Sequence, residues 1–541
     1  MSTRQEGHAP VGAERIAADV EAIAEFSETA PAVGYSRPTF SEAWRAARDY
    51  VIEEATRAGC EHVVDAAGNV HIRHASVGWE RAVWLSGSHV DSVPSGGKYD
   101  GVMGVLVPLE ILRSRPDLPI ELVIFAEEEG TTFNLGMIGS RAWTGAVDVE
   151  TLGRLTNVHG QTVLEAGKPY GLDAGRLRRA AEQVARGEEV AWTDRIDPTR
   201  YVGLVEVHAE QGLSLWDEGR QLAAVDRING RRQYAVTVTG QANHAGSTGM
   251  VGRRDALAGA SEMVLAVERL GGELNEELAH TVATVGKLSC DPGAVNVIPG
   301  EVRFSVDLRA QEEELLTRAE EALRSAASGT ARRRGLTVEV ERSERIAPSP
   351  LSVEIGRALR DAGEAAGIDV PIRPSGALHD AAIVAGTVPT AMIFVASKDG
   401  ISHNPAEYSR AEDIAAAADV LLRVIEANPE GVAAGGGKDG GMTLDELNEL
   451  PLETAAACCA GFFEHSRWIS ERALADRPFA SLEAFHAACM GVIEAAGQDA
   501  QLGLIRAHPD LVGRLAREGR LGSESTSEQA AAGLAELTPE E

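Results

Sequence analysis

The sequence predicts an α/β domain with a ligand site at its strand ends, interrupted by an α+β insert and followed by an all-α module. Three observations predict this. Two apolar runs, residues 82–85 and 120–126, have the length and β-branched content of buried strands. Each ends in polar groups: Ser88-His89-Val90-Asp91 after the first, Glu127-Glu128-Glu129-Gly130 after the second. In open α/β sheets ligands bind beyond the carboxyl ends of strands. Further on, alternating strands and helices replace this pattern, and from 442 to the end almost every segment has helical periodicity.

The 541 residues predict more than one domain, and 44% hydrophobic content is enough for full-sized cores. A formal charge of −31 argues against a nucleic-acid surface and against adhesion to anionic membranes. Cys60, Cys290, Cys458, Cys459 and Cys489 show no CxxC spacing and no disulfide framework, so a reducing, cytoplasmic setting is expected. No apolar run reaches the ~20 residues of a membrane span, and the N-terminal residues lack a signal-peptide core.

In chain order, residues 12–58 read as two helices, the second with Ser41 as N-cap. Residues 62–74 read as a hairpin around Ala67-Gly68-Asn69. After the first strand and Asp100, the run 104–112 is helical, and 150–196 is a charged helical region. Residues 201–212 form an alternating strand carrying His208, Glu210 and Gln211. The insert is expected from Gly212 to 330, with strands at 233–240, 281–289 and 301–309 and helices at 254–270 and 312–327. Residues 337–340 and 390–395 are expected to resume the first domain, giving 1–212 plus 331–427 for the catalytic part and 213–330 for the insert. The Gly-rich run 428–441 reads as a flexible linker.

The polar groups at the strand ends suggest metal chemistry. His89 and Asp91 have the spacing at which a carboxylate can hold the free N–H of a metal-bound imidazole. Three consecutive glutamates are usually a solvated run, but these directly follow Val-Ile-Phe. Adjacent residues of an extended chain face opposite sides, so one glutamate can bind metal while its neighbour faces bound water. Asp100 alone reads as a turn residue, His208 alone as structural. His403 follows another apolar strand and so occupies a strand-end position as well.

Eight ordered segments resemble a known family: GSHVDSVPSGGKYDGVMGV, AEEEG, GMIGSRAWTG, EVHAEQG, NHAGST, NVIPGEVRFSVDLRA, SGALHDAA and SHNPAEY. They are similar to the hydantoinase/carbamoylase branch of the bimetal peptidase–aminoacylase superfamily, over residues 14–427. That branch includes N-carbamoyl-L-amino-acid hydrolases, ureidoglycolate amidohydrolase and allantoate amidohydrolase. The resemblance implies an α/β catalytic domain with an inserted lid and dimerisation domain, binding two divalent ions, Zn²⁺ or Mn²⁺. His89 and His208 would hold one ion alongside Asp100, which bridges both. Glu129 and His403 would share the other. Glu128 would be the general base, and Asp91 would support His89. His244 would reach the partner subunit's active site as a donor to the carbonyl oxygen, which implies a homodimer. Asn296 and Arg309 would grip the substrate carboxylate, with Gln211 lining the pocket. The sequence departs from the family's pattern at Thr131-Thr132, Gly249 and Leu378. These positions bear on substrate preference and leave the ligand set intact.

A second resemblance covers 442–541. FFEHSRW, RPFASLEAFH, LIRAHPDL and STSEQAAAGL are similar to 2-oxo-4-hydroxy-4-carboxy-5-ureidoimidazoline decarboxylase, an all-helical enzyme that needs no cofactor. It implies His508 and Glu528 as catalytic residues and Pro509, Ser525 and Gln529 as pocket residues. The sequence stops at Leu-Thr-Pro-Glu-Glu, where a helix would start. An incomplete module with weak or absent decarboxylase activity is therefore expected.

Joined, the two resemblances imply an amidohydrolase of a small ureido substrate, with allantoate expected, since the decarboxylase product opens to allantoate. N-carbamoyl-L-amino acids and ureidoglycolate are the alternative substrates. A metal-free binding scaffold is the reading from outside enzymes, and intact ligand positions count against it.

Overall fold

The computed structural model describes residues 12–432 and parts of 444–497. The chain forms two units, Met1–Val432 and Ala433–Glu541. The first begins with helices α1 (Ala13–Ala24) and α2 (Glu42–Arg57). Ser41 caps α2 as its sequence suggests, accepting the Trp44 N–H at 3.1 Å. The hairpin β1 (Cys60–Val64) and β2 (Val70–His74) follows. Its turn is held by Asp65, whose Oδ1 accepts the N–H groups of Ala67 and Asn69 at 2.8 and 2.9 Å.

Strand β3 (Val83–His89), helix α3 (Val102–Ser114) and strand β4 (Ile120–Phe125) form a right-sized crossover unit with parallel strands. Helix α3 is apolar on all sides, and Val102–Leu112 are all buried. Its one acid, Glu110, is paired with Arg15 on α1 at 2.9 Å. Strands β5 (Tyr201–Ala209) and β6 (Leu222–Ile228) come next. Then follow β7 (Gly230–Thr239), β8 (Asn243–His244), β9 (Val282–Thr284), β10 (Leu288–Asp291), β11 (Val297–Ile298), β12 (Glu301–Ala310) and β13 (Thr337–Ile346). The last three are β14 (Ser349–Pro350), β15 (Ile372–Ser375) and β16 (Thr390–Val395).

The larger sheet has the order β1-β2-β4-β3-β5-β16-β6-β14, with β15 also on β6. Its centre, β4-β3-β5-β16, is parallel. One face is covered by α1, α2, α3 and the helices Val353–Ala366 and Ala411–Ala427, around Ile16, Trp44, Leu106, Leu359 and Leu421. The other face buries Phe133, Trp143, Leu204 and Phe394. Coverage on both sides explains why these strands read as unbroken apolar runs.

The smaller sheet, β10-β12-β7-β13 with β9 on β12, packs on helices Ala256–Glu277 and Glu313–Arg334 through Val236, Met263, Phe304 and Leu323. Two sequence boundaries move. Strand β6 belongs to the larger sheet, pairing with β16, so the insert starts after Ile228 and not at Gly212. Strand β13 pairs with β7 along its whole length, so residues 337–340 belong to the smaller sheet and do not resume the first domain. Its alternating exposed and half-buried residues are those of a one-sided antiparallel strand.

In the second unit the described residues are helical: Leu444–Glu449, Trp468–Ala473 and Leu482–Ala495, around Leu447, Ile469, Leu474, Phe485 and Cys489. His508, Pro509, Ser525, Glu528 and Gln529, like most of the expected linker, lie outside the described residues.

Candidate metal centre

The four parallel strands all deliver polar residues at their carboxyl ends. His89 is the last residue of β3, His208 the penultimate of β5, the glutamates follow β4, and His403 follows β16. Asp100 stands just ahead of α3. Gly101 has φ +67°, and a Cβ there would lie 2.5 Å from the His89 ring, so only glycine lets the chain turn against that imidazole.

Asp100 is the hub. Its Oδ1 is 3.1 Å from His208 Nε2 and 3.7 Å from His89 Nε2, while its Oδ2 is 3.1 Å from His403 Nε2. Glu129 Oε2 is 3.6 Å from the same His403 nitrogen. The donors therefore form two triads sharing one carboxylate, His89–Asp100–His208 and Asp100–Glu129–His403. His89 Nδ1 is 3.0 Å from the Asp91 backbone carbonyl and 3.7 Å from its carboxylate, which leaves Nε2 buried without a hydrogen-bond partner. His208 is held likewise through Nδ1 by the Ala209 carbonyl, at 3.1 Å. Each imidazole thus directs Nε2 inward, the orientation metal-binding histidines require.

The charges make the same point. Burial pushes Glu128 well above the ordinary carboxylate range, reinforced by Glu129, Asp380, Asp100 and Asp91. Glu129 is raised by burial and by Asp100 and Asp91. Burial lowers His89 to about 4. Burial also opposes charge on His208, but Asp100 prevails and raises it to about 9. Burial works against ionised Asp100 too, yet His208 and His403 hold its pKa well below normal. Crowded carboxylates with inward imidazoles fit divalent cations, whose charge reverses this repulsion. The mixed nitrogen and oxygen donor set suits Zn²⁺ or Mn²⁺.

The three glutamates divide their work. Glu127 is fully buried at φ +56°, and its Oε1 accepts the N–H groups of Thr132 and Phe133 at 3.0 and 3.1 Å. That strained residue caps the turn. Glu128 and Glu129 then enter the pocket, Glu128 Oε2 lying 3.7 Å from His89 Nε2.

The pocket is a cavity of about 630 Å³ whose lining includes Asp100, Glu128, Glu129, His208, Gln211, Arg309 and His403. Gln211 donates to Asp100 Oδ2 at 2.8 Å. Arg309 is aimed by Asp307, at 2.9 Å, and by the Gly376 carbonyl, at 3.1 Å. His244 and Asn296 do not line this cavity. They sit together and exposed on the β8–β11 ribbon, where Ala245 N–H donates to the Asn296 carbonyl at 3.0 Å.

Sequence reasoning missed three groups. Glu407 accepts the N–H groups of Tyr99 and Asp100 at 2.9 and 3.1 Å and so fixes the hub's backbone. Glu206 accepts from Ser88 and from the Ala381 N–H, at 2.7 and 2.9 Å. His379 lines the cavity beside His208, with ring centres 4.4 Å apart. All three lay inside segments quoted for their likeness, but nothing in their local spacing separated them from turn or strand residues.

The profile of Peptidase family M20/M25/M40 matches residues 85–427, and that of OHCU decarboxylase matches 448–541. An N-carbamoyl-L-amino acid amidohydrolase of Geobacillus stearothermophilus is 36% identical over 73% of this chain and 93% of its own length. An allantoate amidohydrolase of Bacillus subtilis is 31% identical, over 73% of this chain and 92% of its own. In structure, an amidase of the hydantoinase/carbamoylase family from Burkholderia multivorans superposes with a TM-score of 0.67 and 34% identity, covering 77% of this chain and 98% of its own. With two ligand triads at the strand ends and this extent of likeness, the chain belongs to Peptidase family M20/M25/M40.

Proposed function

We propose that the chain hydrolyses a ureido C–N bond of a small carboxylate, and that the substrate is allantoate. The observation that carries this reading is that Arg309 lines the same cavity as Asp100, Glu129, His208 and His403, which belong to the two ligand triads. Its guanidinium matches a carboxylate, so a bound ureido acid spans from Arg309 to the triads. His89, Asp100 and His208 would hold one divalent ion and Asp100, Glu129 and His403 a second, and these would supply an acidified water and a polarised carbonyl. Glu128, on the cavity wall with Oε2 3.7 Å from His89 Nε2, would accept the water's proton and return it to the departing nitrogen.

His244 suits a donor's role. Its Nδ1 accepts the Gly246 and Ser247 N–H groups at 3.1 and 3.2 Å, which leaves the proton on Nε2. It is outside its own chain's cavity, and Met250, Val251 and Val295 are 78%, 99% and 105% exposed near the ribbon. These features support a homodimer in which the ribbon with His244 and Asn296 completes the partner's pocket.

Allantoate's second ureido group needs polar partners. Gln233 lines the cavity and donates its amide to Asp307 at 2.9 Å, so its carbonyl oxygen faces onward as an acceptor. Thr132 does not line the cavity, and its hydroxyl accepts the Thr39 N–H at 3.2 Å. The OHCU decarboxylase match also favours the ureide route. A second reading, N-carbamoyl amino acids, is favoured by Leu135, Met137, Leu155 and Leu378 on the same cavity wall. The test is ammonia and amine release from allantoate, ureidoglycolate and N-carbamoyl-methionine by metal-loaded protein. A higher kcat/KM for allantoate is expected, and a preference for the carbamoyl amino acid overturns it.

A further inference from the structure

Residues 34–41 run behind the triads and touch both turns that carry them. Tyr35 and Gly96 exchange two backbone hydrogen bonds, at 3.0 and 2.8 Å. Ser36 Oγ accepts the Ser95 N–H at 2.9 Å. The Arg37 N–H donates to Ser92 Oγ at 3.0 Å, and its carbonyl accepts the Ser92 N–H at 3.2 Å. Arg37 Nε then donates to the Val90 carbonyl, between His89 and Asp91, at 2.8 Å. Two residues on, the Thr39 N–H donates to Thr132 Oγ1 in the glutamate turn.

Arg37 is wholly buried, and Thr39 is 3% exposed. The guanidinium's Nη1 faces the Ile23 and Phe26 carbonyls at the C-terminal end of α1, both at 3.4 Å. A helix C-terminus is a favourable place for a cation. On its other side the guanidinium feels Asp91, Glu407 and Asp100. Asp91 completes the link, its Oδ2 accepting the Glu129 N–H at 3.2 Å.

We propose that Arg37 and Thr39 are positioning residues of the metal centre, holding the His89–Asp91 turn against the Glu127–Glu129 turn. The reason is electrostatic and steric together. Carboxylates crowded from two strand ends repel one another, and only a fixed frame behind them keeps their oxygens at ion-binding separation. The fork of Arg37 ties α1 to Val90 while placing a positive charge beside the acids. Lysine has the charge but a single nitrogen, and cannot make both attachments. Thr39 ties the segment to the glutamate turn through its amide, which donates to Thr132 Oγ1.

The test uses the full chain, stripped of metal and titrated with Mn²⁺ or Zn²⁺ against a chromophoric chelator, with far-UV spectra and melting of the metal-free protein as controls. Thr132→Val is nearly isosteric, removes the acceptor of the Thr39 amide and is expected to weaken metal binding about 10–100-fold, the usual effect of losing a group that orients ligands. Thr132→Ser keeps the hydroxyl and is expected to bind metal much as the wild type does. Arg37→Lys is expected to weaken binding by a similar factor while retaining a native spectrum. Wild-type metal affinity in Thr132→Val overturns the proposal for Thr39, and wild-type affinity in Arg37→Lys overturns it for Arg37. Equal weakening in Thr132→Val and Thr132→Ser also overturns it for Thr39. If Arg37→Lys does not fold, Ser92→Ala, which removes the acceptor of the Arg37 amide, is measured instead under the same criteria. The readout is metal affinity, so it does not depend on which ureido substrate the enzyme takes.

Discussion

Asn69 grips the residue that precedes Glu127, Glu128 and Glu129: its Oδ1 accepts the Ala126 N–H at 3.1 Å. Its Nδ2 donates to the Gly139 carbonyl, also at 3.1 Å, and to Asp65 Oδ2 at 2.8 Å. A hairpin turn at the sheet edge therefore holds both ends of residues 126–139, the segment bearing Glu127, Glu128 and Glu129.

Asn69→Ala is expected to strand the buried Ala126 N–H. An unsatisfied buried group costs about 1–3 kcal/mol, so denaturant unfolding should show a loss of that order. Turnover should fall as well, because the glutamate turn loses its anchor. Unchanged stability would show that water replaces the amide.

Beside that clasp, His71 is buried with Nδ1 2.8 Å from Glu121 and Nε2 3.3 Å from Asp65. Burial opposes its charge, but the two carboxylates prevail and raise its pKa to about 9, from an ordinary 6.5. A raised histidine contributes stability that is complete below its unfolded value and lost as pH rises through its folded one. Stability should therefore fall from about pH 6.5 to 9, by on the order of 3 kcal/mol, with the loss much reduced in His71→Gln. A wild-type profile that stays level across this window would refute the assignment.

The adjacent glutamates should separate by readout. Glu128→Gln removes a proton carrier and should lower kcat by ~10²–10⁴ while both metals remain bound. Glu129→Gln should lower metal occupancy instead. Equal metal loss in the two variants sinks the division of roles.

The dimer can be tested by complementation. His244→Ala and Glu128→Gln subunits should each be inactive alone. Mixed after dissociation, they should regain activity, because one hybrid pocket has both groups intact. Proven hybrids without activity would mean that His244 acts within its own chain.

The fold was legible where burial is two-sided. Residues 82–85, 120–126 and 390–395 read as strands because both of their faces are covered, and β3, β4 and β16 lie there. Sheet membership was harder. Strand β13 alternates, and alternation says that one face is exposed without saying which sheet the strand joins. In the site, His89, Asp100, Glu129, His208 and His403 converge as their motifs suggest. Glu127 looked interchangeable with its neighbours. Its different duty comes from a left-handed backbone at φ +56°, which composition does not report. Arg37 and Thr39 were invisible for another reason. Their partners are backbone groups and turns some fifty to ninety residues away, and no local pattern announces such contacts.

Gly101 has a consequence for how this chain can vary. Its positive φ and its 2.5 Å approach to the His89 ring exclude side chains by two independent routes. Relaxing the backbone would not remove the collision, and moving the imidazole would not relieve the backbone. A saturation scan should find the position closed to all other residues, although Gly101 itself has no side chain with which to bind or react. Tolerance at such a point reports the shape of a neighbour's space, and catalytic constraint extends here to a residue with no chemistry of its own.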